Sequence, residues 1–247
     1  MKKDKSDRFW EIDALRGIAV LFMILFHALF DLNYFNIYKI NLQSDAFLIY
    51  AYTNASIFVF LVGISLTLSY SKASDSLTKK QIQLKFIKRG FKTLALGLII
   101  TLATLIYLER GFVIFGILHF VGISILLAYH FLKFQIQNLA LGILFVFFGI
   151  ILRTMTFDFN WLLWLGFTPS SFYTIDYFPL LPWFGVVLIG IFLGNKLYPN
   201  HNRIFKIKDL SNNKIIQFFT FTGQHSLIIY FIHQPIIISI IFLLTNT

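Results

Sequence analysis

The chain has no cysteine, so disulfide staples, thiolate metal sites and a cysteine nucleophile are all excluded, and the redox compartment is left undetermined. It is also poor in charge. Only 13% of its 247 residues are Asp, Glu, Lys or Arg, about half the share of a soluble domain of that length. Acids are scarcer still, 11 against 21 cations, for a formal net charge of +10. Such an excess can mark a nucleic-acid binder, but here the cations sit in short segments between apolar runs. That distribution indicates membrane orientation, and no nucleic-acid partner is expected. No glycine-rich phosphate loop of Walker or Rossmann type is present, nor any internal repeat. No two histidines stand four residues apart, so no metal is expected.

What the chain does have is oil: 57% hydrophobic residues and a mean hydropathy of +0.76. Apolar runs of membrane-crossing length cover residues 12–32, 46–70, 91–108, 113–132, 139–155 and 178–197, and a last one begins near Ile215 or His225 and ends at Leu244. The expected fold is therefore all-α, a polytopic membrane helical bundle of about seven transmembrane helices forming a single domain over residues 1–247. The first run is too long and too polar on one side for a cleavable signal and is expected to stay as a span. Alternating sides by helix number leaves only Lys39, Arg110 and Arg153 in outer segments, with Arg16 inside the first span and every other cation inside the cell. This asymmetry places the N-terminus in the cytoplasm, the C-terminus outside, and the protein in the cell membrane as a multi-pass chain. The segment 156–177, rich in aromatics and turns, reads as an interfacial loop or re-entrant piece.

The first span carries Asp13, Arg16, His27 and Asp31. At about 100° per residue the other three fall within roughly 40° of the direction of His27, so one face of an oily helix is ionisable. Ionisable groups in a span are costly and mark functional paths. Imidazole with a carboxylate four residues on suits acid and base work, which makes His27 and Asp31 the catalytic candidates. Depth along the helices puts Asn54 about 12 Å and His119 about 9 Å below the outer surface, near the level of His27. His233 reaches the middle from the last span, and with Gln234 it completes the candidate pocket. His119 taken alone reads better as a satisfied core histidine, and Asp13 with Arg16 as a structural salt bridge. The cationic run holding Lys79, Lys80, Lys88 and Arg89 suits lipid headgroups or the phosphates of a nucleotide-like donor. A transporter or binding protein for a polar or lipid-linked solute would use the same stripe as a permeation wall.

The opening block Arg8, Ile12, Asp13, Leu15, Arg16, Gly17, Ile18 and Ala19, followed by FHALFDL at 26–32, resembles the heparan-alpha-glucosaminide N-acetyltransferase catalytic-domain family and, more distantly, the wider group of transmembrane acyltransferases that modify glycans. FLVGISLTLSYSK at 60–72, ILHFVGISILL at 117–127, LPWFGVVLIGIFLG at 181–194 and GQHSLIIYFIHQP at 223–235 resemble its later blocks, so the likeness spreads over nearly the whole chain. It implies transfer of an acyl group, typically acetyl from acetyl-coenzyme A on the cytoplasmic side, to the amine or hydroxyl of a saccharide. The resemblance matches His27 to the histidine near the end of the first helix; joined to the polar stripe, it leads to the expectation that His27 takes a proton from the acceptor, Asp31 steadies the imidazolium, and Arg16 with the cytoplasmic lysines engages the donor's phosphates. Asn54, His119 or Gln234 would hydrogen-bond the developing oxyanion, and transfer is either direct or by way of an acyl-histidine. The namesake branch carries a histidine in the outer loop after the first helix. Residues 33–45 hold none, so glucosamine is not carried over as the substrate. The implied partners are the lipid bilayer, acyl-coenzyme A and the saccharide, with a homodimer left open.

Overall fold

The computed structural model describes residues 8–245; residues 1–7, which include most of the basic leader, and residues 246–247 lie outside it. Among the described residues the chain forms eight α-helices and no strand: α1 (Trp10–Tyr34), α2 (Asp45–Ser74), α3 (Lys79–Tyr107), α4 (Ile117–Phe131), α5 (Ile136–Leu152), α6 (Leu180–Leu197), α7 (Lys214–Gln224) and α8 (Ser226–Thr245). Five of them, α1, α2, α3, α6 and α8, are long and apolar enough to cross a membrane. The helices α4 and α5, at 15 and 17 residues, rise only about 22 and 26 Å, short of a hydrocarbon core of roughly 30 Å. The chain divides into two compact units, Met1–Leu61 with Lys206–Thr247, and Val62–Phe205, so that α2 contributes its first part to one and its last part to the other.

In the first unit α1 is the central element. Glu11 and Asp13 in its first turn suit the positive end of the helix dipole, and its polar stripe turns inward: Asp13 and Asp31 are buried and His27 half-buried. The helix α7 packs against α1 where Gly17 and Gly223 face each other. A Cβ on either would strike the other helix's backbone, so only glycine permits this approach. Asn213 caps α7 by accepting from the N–H groups of Ile215 and Ile216. The last apolar run is thus two helices parted at His225, and the membrane-length one starts at Ser226. Along α8 the contacts climb α1 in step: the His233 ring meets that of His27, Gln234 meets Asp31, and Phe242 meets Phe35.

In the second unit α5 and α6 approach through Gly142 and Gly185, and α3 opens with a reciprocal box between Thr78 and Gln81. The helix α4 starts at Ile117 and not at the expected 113. The Val113 N–H donates to the Thr104 hydroxyl, its carbonyl accepts from Thr101 Oγ1 at 2.7 Å, and the Phe115 carbonyl accepts from the Phe178 N–H. With these groups already spoken for, residues 111–116 stay out of the helix and run beside 174–178. The aromatic segment before α6 is a loop carrying one 3-10 turn, Leu163–Leu165, whose Leu163 carbonyl accepts from the Tyr177 hydroxyl at 2.7 Å. Trp161 and Tyr173 stand out of it, as residues of an interfacial belt do.

Candidate active site

In the first unit two histidines from different helices meet. The rings of His27 on α1 and His233 on α8 lie 4.7 Å apart between centroids and are tilted by 57°. His233 is 6% exposed and is walled by the Tyr230 ring at 5.2 Å. Its Nδ1 lies 2.6 Å from the Tyr230 carbonyl oxygen. A carbonyl only accepts, so Nδ1 carries the proton and Nε2 holds the lone pair of the neutral ring. Nε2 is buried and has no hydrogen-bond partner.

One turn beyond His27, Asp31 is buried at 3% exposure, and both of its carboxylate oxygens accept from Gln234 Nε2, at 2.9 and 2.8 Å. The partner of Asp31 is therefore Gln234, where spacing had suggested the imidazole of His27 at i−4. This contact also fixes the amide: since the carboxylate can only accept, Gln234 presents Nε2 to Asp31 and turns Oε1 away. Oε1 is likewise buried without a partner. The Asn54 side chain, on the first part of α2, donates to the Ala19 carbonyl and accepts from the Met23 N–H, each at 3.1 Å, and so clips α2 to one rung of α1. Its polar atoms serve that clip. Tyr50 helps by donating its hydroxyl to the Phe22 carbonyl.

Toward the start of α1 the same stripe forms a latch. Asp13 Oδ1 accepts from Arg16 at 2.9 Å, and Oδ2 accepts from Gln224 Nε2 at 3.2 Å with Arg8 at 3.6 Å. Arg16 also donates to the Gly223 carbonyl at 3.4 Å. The pairing holds α7 on α1, which is the structural salt bridge expected from the sequence; Gln224 is the partner that spacing did not reveal.

His119 belongs to the second unit, and there both ring nitrogens are engaged. Nδ1 accepts from the Gly116 N–H at 3.3 Å. The Thr101 hydroxyl gives its proton to the Val113 carbonyl, so at 3.3 Å from Thr101 Oγ1 it is His119 Nε2 that donates. Beside it Asp176, from the loop, accepts the Ile117 N–H at 3.1 Å and so caps α4, a contact that Gly116 permits because any Cβ there would meet the carboxylate. Burial pushes the Asp176 carboxyl up to about 6, against the pull of the Ile117 N–H. Lys79, Lys80, Lys88 and Arg89 are all exposed, spread around the first three turns of α3.

A buried imidazole with an open lone pair, next to a second histidine in an apolar helix, is what a membrane-embedded acid–base enzyme needs. The family model for the heparan-alpha-glucosaminide N-acetyltransferase catalytic domain matches residues 8–235, taking in α1, His27, Asp31, His233 and Gln234. The chain belongs to that family. No curated protein and no solved structure matches it. Membership, with several helices of membrane length, makes the chain a multi-pass membrane acyltransferase of the N-acetyltransferase type.

Proposed function

We propose that the protein moves an acetyl group from acetyl-coenzyme A on the cytoplasmic side of the cell membrane to an amine or hydroxyl of a saccharide acceptor, and that the His27–His233 pair supplies the base. The observation that carries the reading is this pair of touching imidazoles within the matched region, one bearing a buried lone pair. Either the acceptor attacks the thioester directly as an imidazole removes its proton, or the imidazole carries the acyl group between the two partners. Asp31 acts through Gln234, holding that side chain beside the histidines, and does not steady the imidazolium by contact. Arg16 is committed to Asp13 and Gly223, so a phosphate reaching it would exchange with Asp13. Lys79, Lys80, Lys88 and Arg89 are retained as anion-binding residues of the second unit, suited to donor phosphates.

For the topology we infer seven crossings, with α4 and α5 as short ones that the bilayer meets by thinning locally. The cation distribution supports this, with the N-terminus inside and the C-terminus outside, and the chain acting as one catalytic domain. The test uses the purified protein in liposomes with labelled acetyl-coenzyme A and saccharide acceptors. Thioester consumption dependent on the acceptor is expected, and the double variant His27→Ala/His233→Ala should abolish it while donor binding remains measurable. Solute flux without thioester loss would make the protein a transporter, and an unimpaired double variant would remove the histidine pair from the chemistry.

A further inference from the structure

Two buried atoms on consecutive residues of α8 have no hydrogen-bond partner, His233 Nε2 and Gln234 Oε1; both are acceptors, and the orientation of each is settled by a neighbour that can only accept: the Tyr230 carbonyl for the ring, the Asp31 carboxylate for the amide. A buried lone pair without a donor costs roughly 1–3 kcal/mol, and here two occur on consecutive residues of α8, against the same stretch of α1. What satisfies two acceptors is a group with two donors. A phosphate, a carboxylate or a thioester carbonyl has none to give.

We infer that His233 Nε2 and Gln234 Oε1 seat the nucleophile of the acceptor, an amino group or a pair of hydroxyls, and that His233, not His27, is the residue that takes its proton. This rests on the acyl-transfer reading and specifies the site within it. The step balances as follows. The nucleophile's lone pair forms a bond to the acetyl carbonyl carbon and the carbon–sulfur bond breaks. The proton leaves the nucleophile for His233 Nε2 and passes to the departing thiolate, so that acetylated acceptor and free thiol result. The Tyr230 carbonyl, already accepting from Nδ1 at 2.6 Å, stabilises the imidazolium in between. Gln234, locked by two contacts to Asp31, takes the nucleophile's second hydrogen and aims its lone pair. His27 forms the facing wall.

The experiment has two readouts on the full-length protein in detergent or liposomes: equilibrium binding of labelled glucosamine, glucose and ethanolamine, and loss of the acetyl-coenzyme A thioester. The wild type should bind at least one probe. Gln234→Met, close in shape but without polar atoms, should weaken that binding about tenfold and raise the acceptor KM with the donor KM unchanged. His233→Ala should lower kcat by roughly 100-fold or more, and more than the aromatic replacement His27→Phe does. Thermal unfolding of each variant separates misfolding from loss of function, and Gln234→Met remains decisive where His233→Ala does not fold. Absence of probe binding by the wild type, unchanged binding in Gln234→Met, or a larger kcat loss in His27→Phe than in His233→Ala would overturn the assignment. Probe binding that responds to Gln234→Met without any thioester loss would instead sink the acyl-transfer reading and leave the seat intact.

Discussion

The two units each hold a buried histidine and a carboxylate near it, yet one set is closed and the other open. Around His119 both ring nitrogens and one oxygen of the neighbouring carboxylate find partners inside the protein: Gly116 and Thr101 for the ring, Ile117 for Asp176. Around His233 the chain fixes the side chains as firmly, through Tyr230 and Asp31, and then leaves an acceptor atom on each without a partner. His119 and His233 are buried alike, at 4% and 6% exposure, so burial alone does not tell the two imidazoles apart. The difference lies in the hydrogen bonds: the set around His119 is met from within the protein, and the set around His233 leaves two buried acceptors, the atoms that the proposed seat would use.

The largest expected effect breaks the open set. His233→Ala should reduce acetyl transfer by about 10²–10⁴-fold with the protein still folded, measured as thioester loss at saturating donor. Next, Gly223→Leu drives a side chain into the α1 backbone at Asp13 and detaches the latch of Arg16 and Gln224. A loss of about 3 kcal/mol or more in stability is expected, read as a lowered midpoint of thermal unfolding.

On the closed side, Asp176 gives a pH signature. Its carboxyl sits at about 6 in the folded protein, above its value in the unfolded chain. A raised acid stabilises the fold in its protonated form. The contribution is therefore fully present below about pH 4 and is lost as pH rises through about 6, up to roughly 2–3 kcal/mol. Asp176→Asn, which keeps an acceptor for Ile117, should erase that slope and be the more stable protein at pH 7; unfolding curves between pH 4 and 7 that match the wild type would contradict this. The smallest effect is that of His119→Phe, which leaves the Gly116 N–H without its acceptor. A cost of about 1–2 kcal/mol in stability is expected, with transfer per folded molecule unchanged.

Much of the first unit was legible in the sequence because a helix's own periodicity decides it. The stripe of Asp13, Arg16, His27 and Asp31 is a statement about 100° steps, and these residues do turn to the partner helices. The partners were not legible, since Gln224 and Gln234 lie more than 200 positions away and nothing local ties them to α1. The division at His225 was half visible: Asn213 before KIIQFF is a helix-start signal, whereas the apolar run continuing through SLIIYF conceals the end of α7. The late start of α4 was not readable, because apolar Val113 and Phe115 look helical until their backbone groups are claimed by Thr101, Thr104 and the segment before α6. Asp176 carries no local signal of its role. A glycine at the N-cap of α4, unable to cap with a side chain, was the hint that a cap must come from elsewhere.

The measurement that bears most directly on the whole account is a side-by-side assay of acetyl-coenzyme A thioester loss in liposomes for the wild type, the double variant His27→Ala/His233→Ala, and His119→Phe, each normalised to folded protein. The account predicts acceptor-dependent turnover for the wild type and His119→Phe and none for the double variant. Turnover that survives loss of both first-unit imidazoles, or that vanishes with His119, would contradict it.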